Sequence, residues 1–174
     1  VQSGAGETMK LVGAIKALLD AHGCGSVVDS IGVGAGVYSR LRELGARVVA
    51  FGAGDKSTGI SRGKERFANL RAEAWWGMRE ALDPEDGDDW ALPPNDRMIG
   101  DLAEPGWYYR SDGRIVIESK DDKEDEDGNV KKGLRSRLKR STDYGDVVVM
   151  GRWALARRPA GKLKLGPAWQ TARG

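Results

Sequence analysis

Three aspartates stand where carboxylate chemistry would need them. Asp29 closes the apolar run "SVVD" and is followed by Gly32, Gly34 and Gly36, while Asp143 and Asp146 lie three residues apart in "STDYGDVVVM". A carboxylate at the C-terminal end of a parallel strand projects into the crevice where α/β sheets place their ligands. Two acids three residues apart occupy neighbouring positions of one helical turn. Hard oxygen donors converging from distant segments hold divalent cations that act on phosphates.

Each acid also has a plainer reading. The glycines after Asp29 run G-x-G-x-G, unlike a dinucleotide fingerprint, and no Asp or Glu ends the next apolar run, "ARVVAFG" (46–52). Tight turning at a strand–helix junction accounts for them as well as a nucleotide does. Asp143 suits a helix N-cap and Asp146 a first-turn acid favoured by the helix dipole. On their own the residues leave metal site and helix start both open.

Other groups bear on the same question. Residues 121–127 ("DDKEDED") carry six acids and one lysine, whereas 131–140 ("KKGLRSRLKR") carry six bases and no acid. The basic block suits phosphates or a solvated loop equally. The pair Trp75-Trp76 reads as packing, and the run Trp107-Tyr108-Tyr109 predicts at least one buried ring by strand alternation. His22 reads as a helix-end residue, and Cys24 as a small buried one.

The elements that must position these groups follow from the apolar pattern. Residues 7–23 predict an amphipathic helix with Leu11, Val12, Ile15, Leu18 and Leu19 on one face. A strand over 26–30, a helix over 36–44 and a strand over 46–52 make a compact parallel βαβ unit. A glycine-rich loop (52–63) leads into a helix expected over 64–82, carrying Phe67, Leu70, Ala74, Met78 and Leu82 inward. A short helix is expected at 96–104, and a hairpin at 106–120 turning at Ser111-Asp112-Gly113. The charged block 121–133 predicts a mobile excursion, because it cannot bury apolar surface and its acids repel one another. A last helix begins near "STDYGD".

Bulk properties narrow the class. The 174 residues, 40% hydrophobic and 31% charged with a net charge of +2, suit a globular domain rather than a polyanion-coating tail. The single cysteine excludes an internal disulfide and multi-cysteine metal sites, and fits a reducing compartment. No run approaches the roughly 18 apolar residues of a membrane span.

Taken in order, "VVDSIGVGAGVYSRLRELG", "VVAFGAGDKS", "FANLRAEAWWGMREAL", "GRIVIESK" and "KRSTDYGDVVVM" resemble the nuclease domain of tailed-phage terminase large subunits over roughly residues 8–152. The resemblance implies an α/β fold: a ribonuclease H-like mixed sheet flanked by helices, truncated at its N-terminus, with an added β-hairpin. Residues 1–158 would be the nuclease-like domain and 159–174 a basic, disordered tail. The implied activity is endonucleolytic cutting of double-stranded DNA with two Mg²⁺ or Mn²⁺ ions. The family's D-x-x-G-x-G acid falls on Asp29, and its last acid, in a S-P-D-x-x-D-A segment, falls on Asp146 with Asp143 beside it. These acids are expected to open onto one cleft.

Candidate DNA contacts are Lys56, Arg62, Lys120, Arg137, Lys139 and Arg140, with Glu118 flanking the cleft. The family's opening strand and first acid have no counterpart, so the chain is expected to bind metal weakly and cut little by itself. Implied partners are duplex DNA, the terminase ATPase domain, the small terminase subunit and the portal, in the cytoplasm of a bacterial host. The competing expectation is a non-catalytic DNA- or portal-binding remnant of a prophage terminase.

Overall fold

The computed structural model describes residues 3–57, 59, 61–88, 90–124 and 128–157. The expected tail, 159–174, lies outside them. The chain divides into two units. One runs to Gly52 and takes in the end of the last helix from Ala154; the other spans Ala53–Trp153.

In the first unit, helix α1 (Ser3–His22) is followed by strand β1 (Ser26–Asp29), helix α2 (Val33–Glu43) and strand β2 (Val48–Phe51). The strands pair in parallel, from Ser26 opposite Val48 to Asp29 opposite Phe51, which is the expected βαβ unit. Val12 of α1 meets Val37 and Leu41 of α2 in a small core, with Ile15, Val28 and Val48 packed against it.

Two expectations fail here. Leu11 and Leu18 are 50% and 60% exposed, so α1 buries only the stripe through Val12 and Leu19. The unit's two-stranded sheet and single neighbouring helix are too narrow to cover a wider face. Cys24, in the turn before β1, is exposed.

Two of the glycines have definite conformational work. Gly32 adopts φ 62° immediately before α2, which then starts at Val33, three residues earlier than its sequence suggested. A Cβ on Gly34 would lie 1.8 Å from the Asp29 carbonyl oxygen, so only glycine lets the helix turn back so close to the strand end.

The second unit contains β3 (Arg66–Phe67), α3 (Leu70–Ala81), α4 (Asp96–Ala103), β4 (Trp107–Tyr109), β5 (Arg114–Ile117), β6 (Lys123–Glu124), β7 (Val130–Lys131), α5 (Leu134–Leu138) and α6, which begins at Asp143 and continues to Ala156. Its main sheet has the order β3-β5-β4, with β3 parallel and β4 antiparallel to β5. The mixed sheet is therefore present, but as separate small sheets. Phe67, Leu70, Trp75, Trp76, Met78, Ile115, Ile117, Leu134, Val149 and Trp153 are all buried.

The helix expected over 64–82 begins only at Leu70. Lys64 takes φ 70°, Phe67 pairs with Ile115 across the sheet, and Asn69 caps α3 by accepting the Ala72 N–H at 2.9 Å. Cap and strand pairing together override the helical spacing of Phe67. Asn69→Ala is expected to cost about 1 kcal/mol in chemical denaturation. At the far end, Leu82 is 37% exposed and does not join the inward stripe.

The hairpin at 107–117 forms as expected and turns with Gly113 at φ 75°. All three of its aromatics, Trp107, Tyr108 and Tyr109, are nevertheless exposed, because β4 is an edge strand of a sheet too small to cover either face of it. The charged block is partly ordered: Lys123 and Glu124 pair with Lys131 and Val130, and α5 follows. Residues 125–127 of that excursion lie outside the described ones.

Candidate functional site

In the second unit the surroundings of Asp146 are built from α4, β5 and the start of α6. Asp101, on α4, is fully buried and accepts the N–H groups of Tyr144 and Gly145 at 3.1 and 3.3 Å. Those are first-turn donors of α6 that the helix itself leaves unsatisfied. The other Asp101 oxygen takes Arg140. A Cβ on Gly145 would come within 2.9 Å of Asp101, so glycine is what lets α6 approach α4 this closely. This clamp sets the position of the turn that carries Asp143 and Asp146.

Within that turn the two acids have different partners. Asp143 is exposed and accepts the Ser141 hydroxyl. The Asp146 carboxylate is mostly covered and accepts the buried Thr142 hydroxyl at 3.1 Å. Its Oδ2 also meets the Lys120 ammonium at 2.6 Å. Asp146 is thus a first-turn acid of α6, as the helix reading expected, whereas Asp143 is the first residue inside the helix and not its N-cap.

Arg71 feels the charge of Asp146 and of Glu118, the residue after β5. Arg71 of α3 donates to the carbonyl of Glu118 at 2.7 Å, tying α3 to the end of β5. Burial lowers the pKa of its guanidinium, against the attraction of Asp146 and Glu118. Glu118 accepts the Gly106 N–H and Arg137, each at 3.1 Å. Partial burial works to raise the Glu118 carboxyl, but the hydrogen bonds from Arg137 and Gly106 prevail and hold it below its ordinary range.

Asp29 belongs to the first unit. It ends β1, is exposed, and accepts the Ile31 N–H at 3.0 Å in a local turn.

Of the basic candidates, Lys120 is brought onto Asp146. Arg137 bridges Glu104 at 2.7 Å and Glu118 at 3.1 Å, and Arg140 is held by Asp101. Arg62 pairs with Asp88 at 2.7 Å, Lys139 ends α5 with φ 53°, and Lys56 is exposed. The glycine-rich loop is tied to α3 rather than left open: Ser57 and Gly59 both donate to Glu73, and the Arg62 N–H donates to Glu80.

The oxygen donors Asp29, Asp143 and Asp146 suit a hard divalent ion by chemistry. Asp143 and Asp146 share the first turn of α6 while Asp29 belongs to the other unit, and among the described residues no three His, Cys, Asp or Glu side chains gather to hold a metal. Asp101, Arg71 and Thr142 were missed by sequence reasoning. The long-range Asp101 contact leaves no local trace, whereas Arg71 at the start of a capped helix was at least visible as a charge on an otherwise buried face.

The architecture first assigns a class, an α/β fold of the ribonuclease H-like type. More particularly, it is the fold of the nuclease domain of the large terminase subunit gp2 of bacterial virus Sf6. That match has a TM-score of 0.57 at 18% identity and covers 83% of this chain and 70% of that one. A lysine-to-alanine mutant of the same Sf6 domain with manganese matches at 0.56 and 17%, over 79% and 69% of the two chains. The corresponding mutant with calcium matches at 0.55 and 17%, over 79% and 68%. No protein-family model and no curated protein matches the sequence. Among the described residues no helix is long and apolar enough to cross a membrane.

Proposed function

We propose that this chain is the metal-dependent endonuclease domain of a phage DNA-packaging terminase, with Asp29, Asp143 and Asp146 as ligands for two Mg²⁺ or Mn²⁺ ions. The observation that carries the reading is the shared fold with the Sf6 nuclease domain, which is known in forms with manganese and calcium. The surroundings of Asp146 support it: a mostly covered carboxylate already neutralised by a cation, on a rigidly clamped helix start.

When bound, such ions activate water and stabilise the leaving oxygen of a phosphodiester. The chain's own residues have separate tasks. Asp146 and Asp29 supply anionic oxygen. Thr142 orients the Asp146 carboxylate. Lys120 holds the charge of Asp146 balanced and, once displaced, is free to meet a phosphate. Lys56 and Lys139 are the remaining candidates for the DNA backbone, while Arg62, Arg137 and Arg140 would have to leave their acidic partners first. Duplex DNA, the ATPase domain, the small terminase subunit and the portal are the partners this role entails, in the host cytoplasm.

A second reading is a non-catalytic DNA- or portal-binding module, in which the Lys120–Asp146 ion pair at 2.6 Å is a structural contact. Lys120 separates the two. If Asp146 is a metal ligand, Lys120→Ala removes a competing cation worth about 1 kcal/mol and should tighten Mn²⁺ binding about fivefold in calorimetric titration. Unchanged or weaker Mn²⁺ binding in that variant would favour the non-catalytic module.

A further inference from the structure

The outer face of the β3-β5-β4 sheet carries charge that packing does not explain. Phe67, Ile115 and Ile117 are buried against the unit, so their strand neighbours Arg66 and Arg114 lie on the opposite face. The register sets Arg66 beside Arg114, and the Arg110 N–H donates to the Arg114 carbonyl at 2.8 Å, which brings Arg110 level with both. With strands about 4.8 Å apart, the three arginines form one row about 10 Å wide. Asp112, in the turn, accepts the Arg110 Nε–H at 2.9 Å and lies 3.5 Å from Arg114, so both guanidiniums stand on one face.

Like charges directly opposite one another in a sheet are destabilising. Charged residues commonly guard a sheet edge, a role that suits Arg66 on β3 but not Arg114, which is on the central strand. The Arg110 hydrogen bond pulls the Asp112 carboxyl down to a pKa of about 2, so it stays charged and leaves three bases against one acid. A second like-charged pair adjoins the row. Lys123 lies opposite Lys131, whose ammonium is 5.0 Å from the centre of the Tyr108 ring. Tyr108 pairs with Val116 and so shares the face of Arg114.

We propose that this face binds the phosphodiester backbone of duplex DNA through Arg66, Arg110, Arg114 and Lys131. The choice of DNA rests on the nuclease reading; the choice of face rests on charge. Guanidiniums suit phosphate oxygens, which they can take two N–H groups at a time. Lys131 already occupies the Tyr108 ring, and Trp107 and Tyr109, opposite Ile117 and Ile115, point to the other face. The face therefore offers no stacking platform of the kind that holds single strands. Lys120 is six residues beyond Arg114 and so at most about 20 Å from it. Backbone contacts at the row would fall within about six base pairs of a cut made beside Asp146.

The test is fluorescence anisotropy of a short labelled DNA duplex of mixed sequence, titrated with the full chain in EDTA at several salt concentrations. Arg66→Ala should weaken binding about threefold and Arg66→Ala/Arg114→Ala about tenfold, and the slope of log affinity against log salt should fall by about 0.9 for each arginine removed. Asp112→Asn keeps an acceptor oxygen for the turn but frees Arg110 and Arg114, and should tighten binding about threefold. Arg66 and Asp112 are exposed, so these two single variants carry the test even where the double variant melts early.

Equal affinity and salt slope in the wild type and Arg66→Ala overturns the proposal, as does an Asp112→Asn variant that binds no tighter. Tighter binding of the matching single strand would give the face another ligand and also overturns it. So does a wild type that binds no duplex. The buffer holds no metal, so none of these results depends on ligation at Asp146. Arginine-dependent DNA binding beside a flat Mn²⁺ titration fails the nuclease reading alone, and the reverse fails this proposal alone.

Discussion

Replacing Asp101 by alanine is expected to lower the stability of the chain by about 3–5 kcal/mol, the range seen when one partner of a buried ion pair is removed. The carboxylate has no solvent exposure and serves three donors: Arg140 and the N–H groups of Tyr144 and Gly145. Alanine would leave a guanidinium without its counter-charge and two helix-start donors without acceptors. Asp101→Asn keeps an acceptor but not the charge, and should fall between alanine and wild type. Arg140→Ala should cost less than Asp101→Ala, because the Arg140 side chain is one-third exposed and Asp101 would keep its backbone donors. Urea denaturation followed by circular dichroism measures all three. A loss below about 1 kcal/mol for Asp101→Ala would show that the clamp on α6 is not what holds its first turn.

The second large effect concerns cutting. In a protein carrying this domain, Asp29→Asn and Asp146→Asn should each reduce Mn²⁺-dependent nicking of supercoiled plasmid by at least about a hundredfold, beyond what loss of an outer-shell partner costs a metal site. An amide is neutral and offers one oxygen, where closely spaced dications need anionic ones. Asp143→Asn should matter less, since that side chain is exposed and held by the Ser141 hydroxyl. Changing Lys56 or Lys139 to alanine should weaken DNA binding in a salt-dependent way and leave the metal requirement intact. Nicking that persists in both asparagine variants would remove the carboxylates from the mechanism.

Much of the fold was legible because its signals are local. The βαβ unit follows from two short apolar runs separated by a helical pattern, and the hairpin from Ser111-Asp112-Gly113. Gly34 shows what such a reading can recover: a tight strand-to-helix turn was one option for the glycines, and the close approach to the Asp29 carbonyl is its cause. Errors arose where the outcome depends on how much surface a distant partner supplies. Leu11, Leu18 and the three aromatics of β4 have inward-facing patterns but small sheets against which to pack. Phe67 has helical spacing but a strand partner in Ile115, 48 residues away in sequence.

The candidate site was legible only in part for the same reason. Asp146 and Lys120 could be nominated from their motifs, and the structure brings them into contact. The clamp beneath them could not be nominated. Asp101 sits mid-helix with nothing nearby to mark it, and its partners lie 39 to 44 residues downstream. Arg137 and Arg140 read as available phosphate contacts, yet both are committed to acids within the unit, because charges of opposite sign in adjoining segments pair before they meet a ligand.

The most direct measurement of the central claim is a Mn²⁺ titration followed by electron paramagnetic resonance, on the wild-type chain beside Asp29→Asn and Asp146→Asn. It reads ligation itself and does not depend on how fast the chain cuts. The expected result is weak but saturable binding by the wild type that is lost in each variant, with circular dichroism spectra unchanged. Mn²⁺ binding that is the same in all three proteins would contradict it.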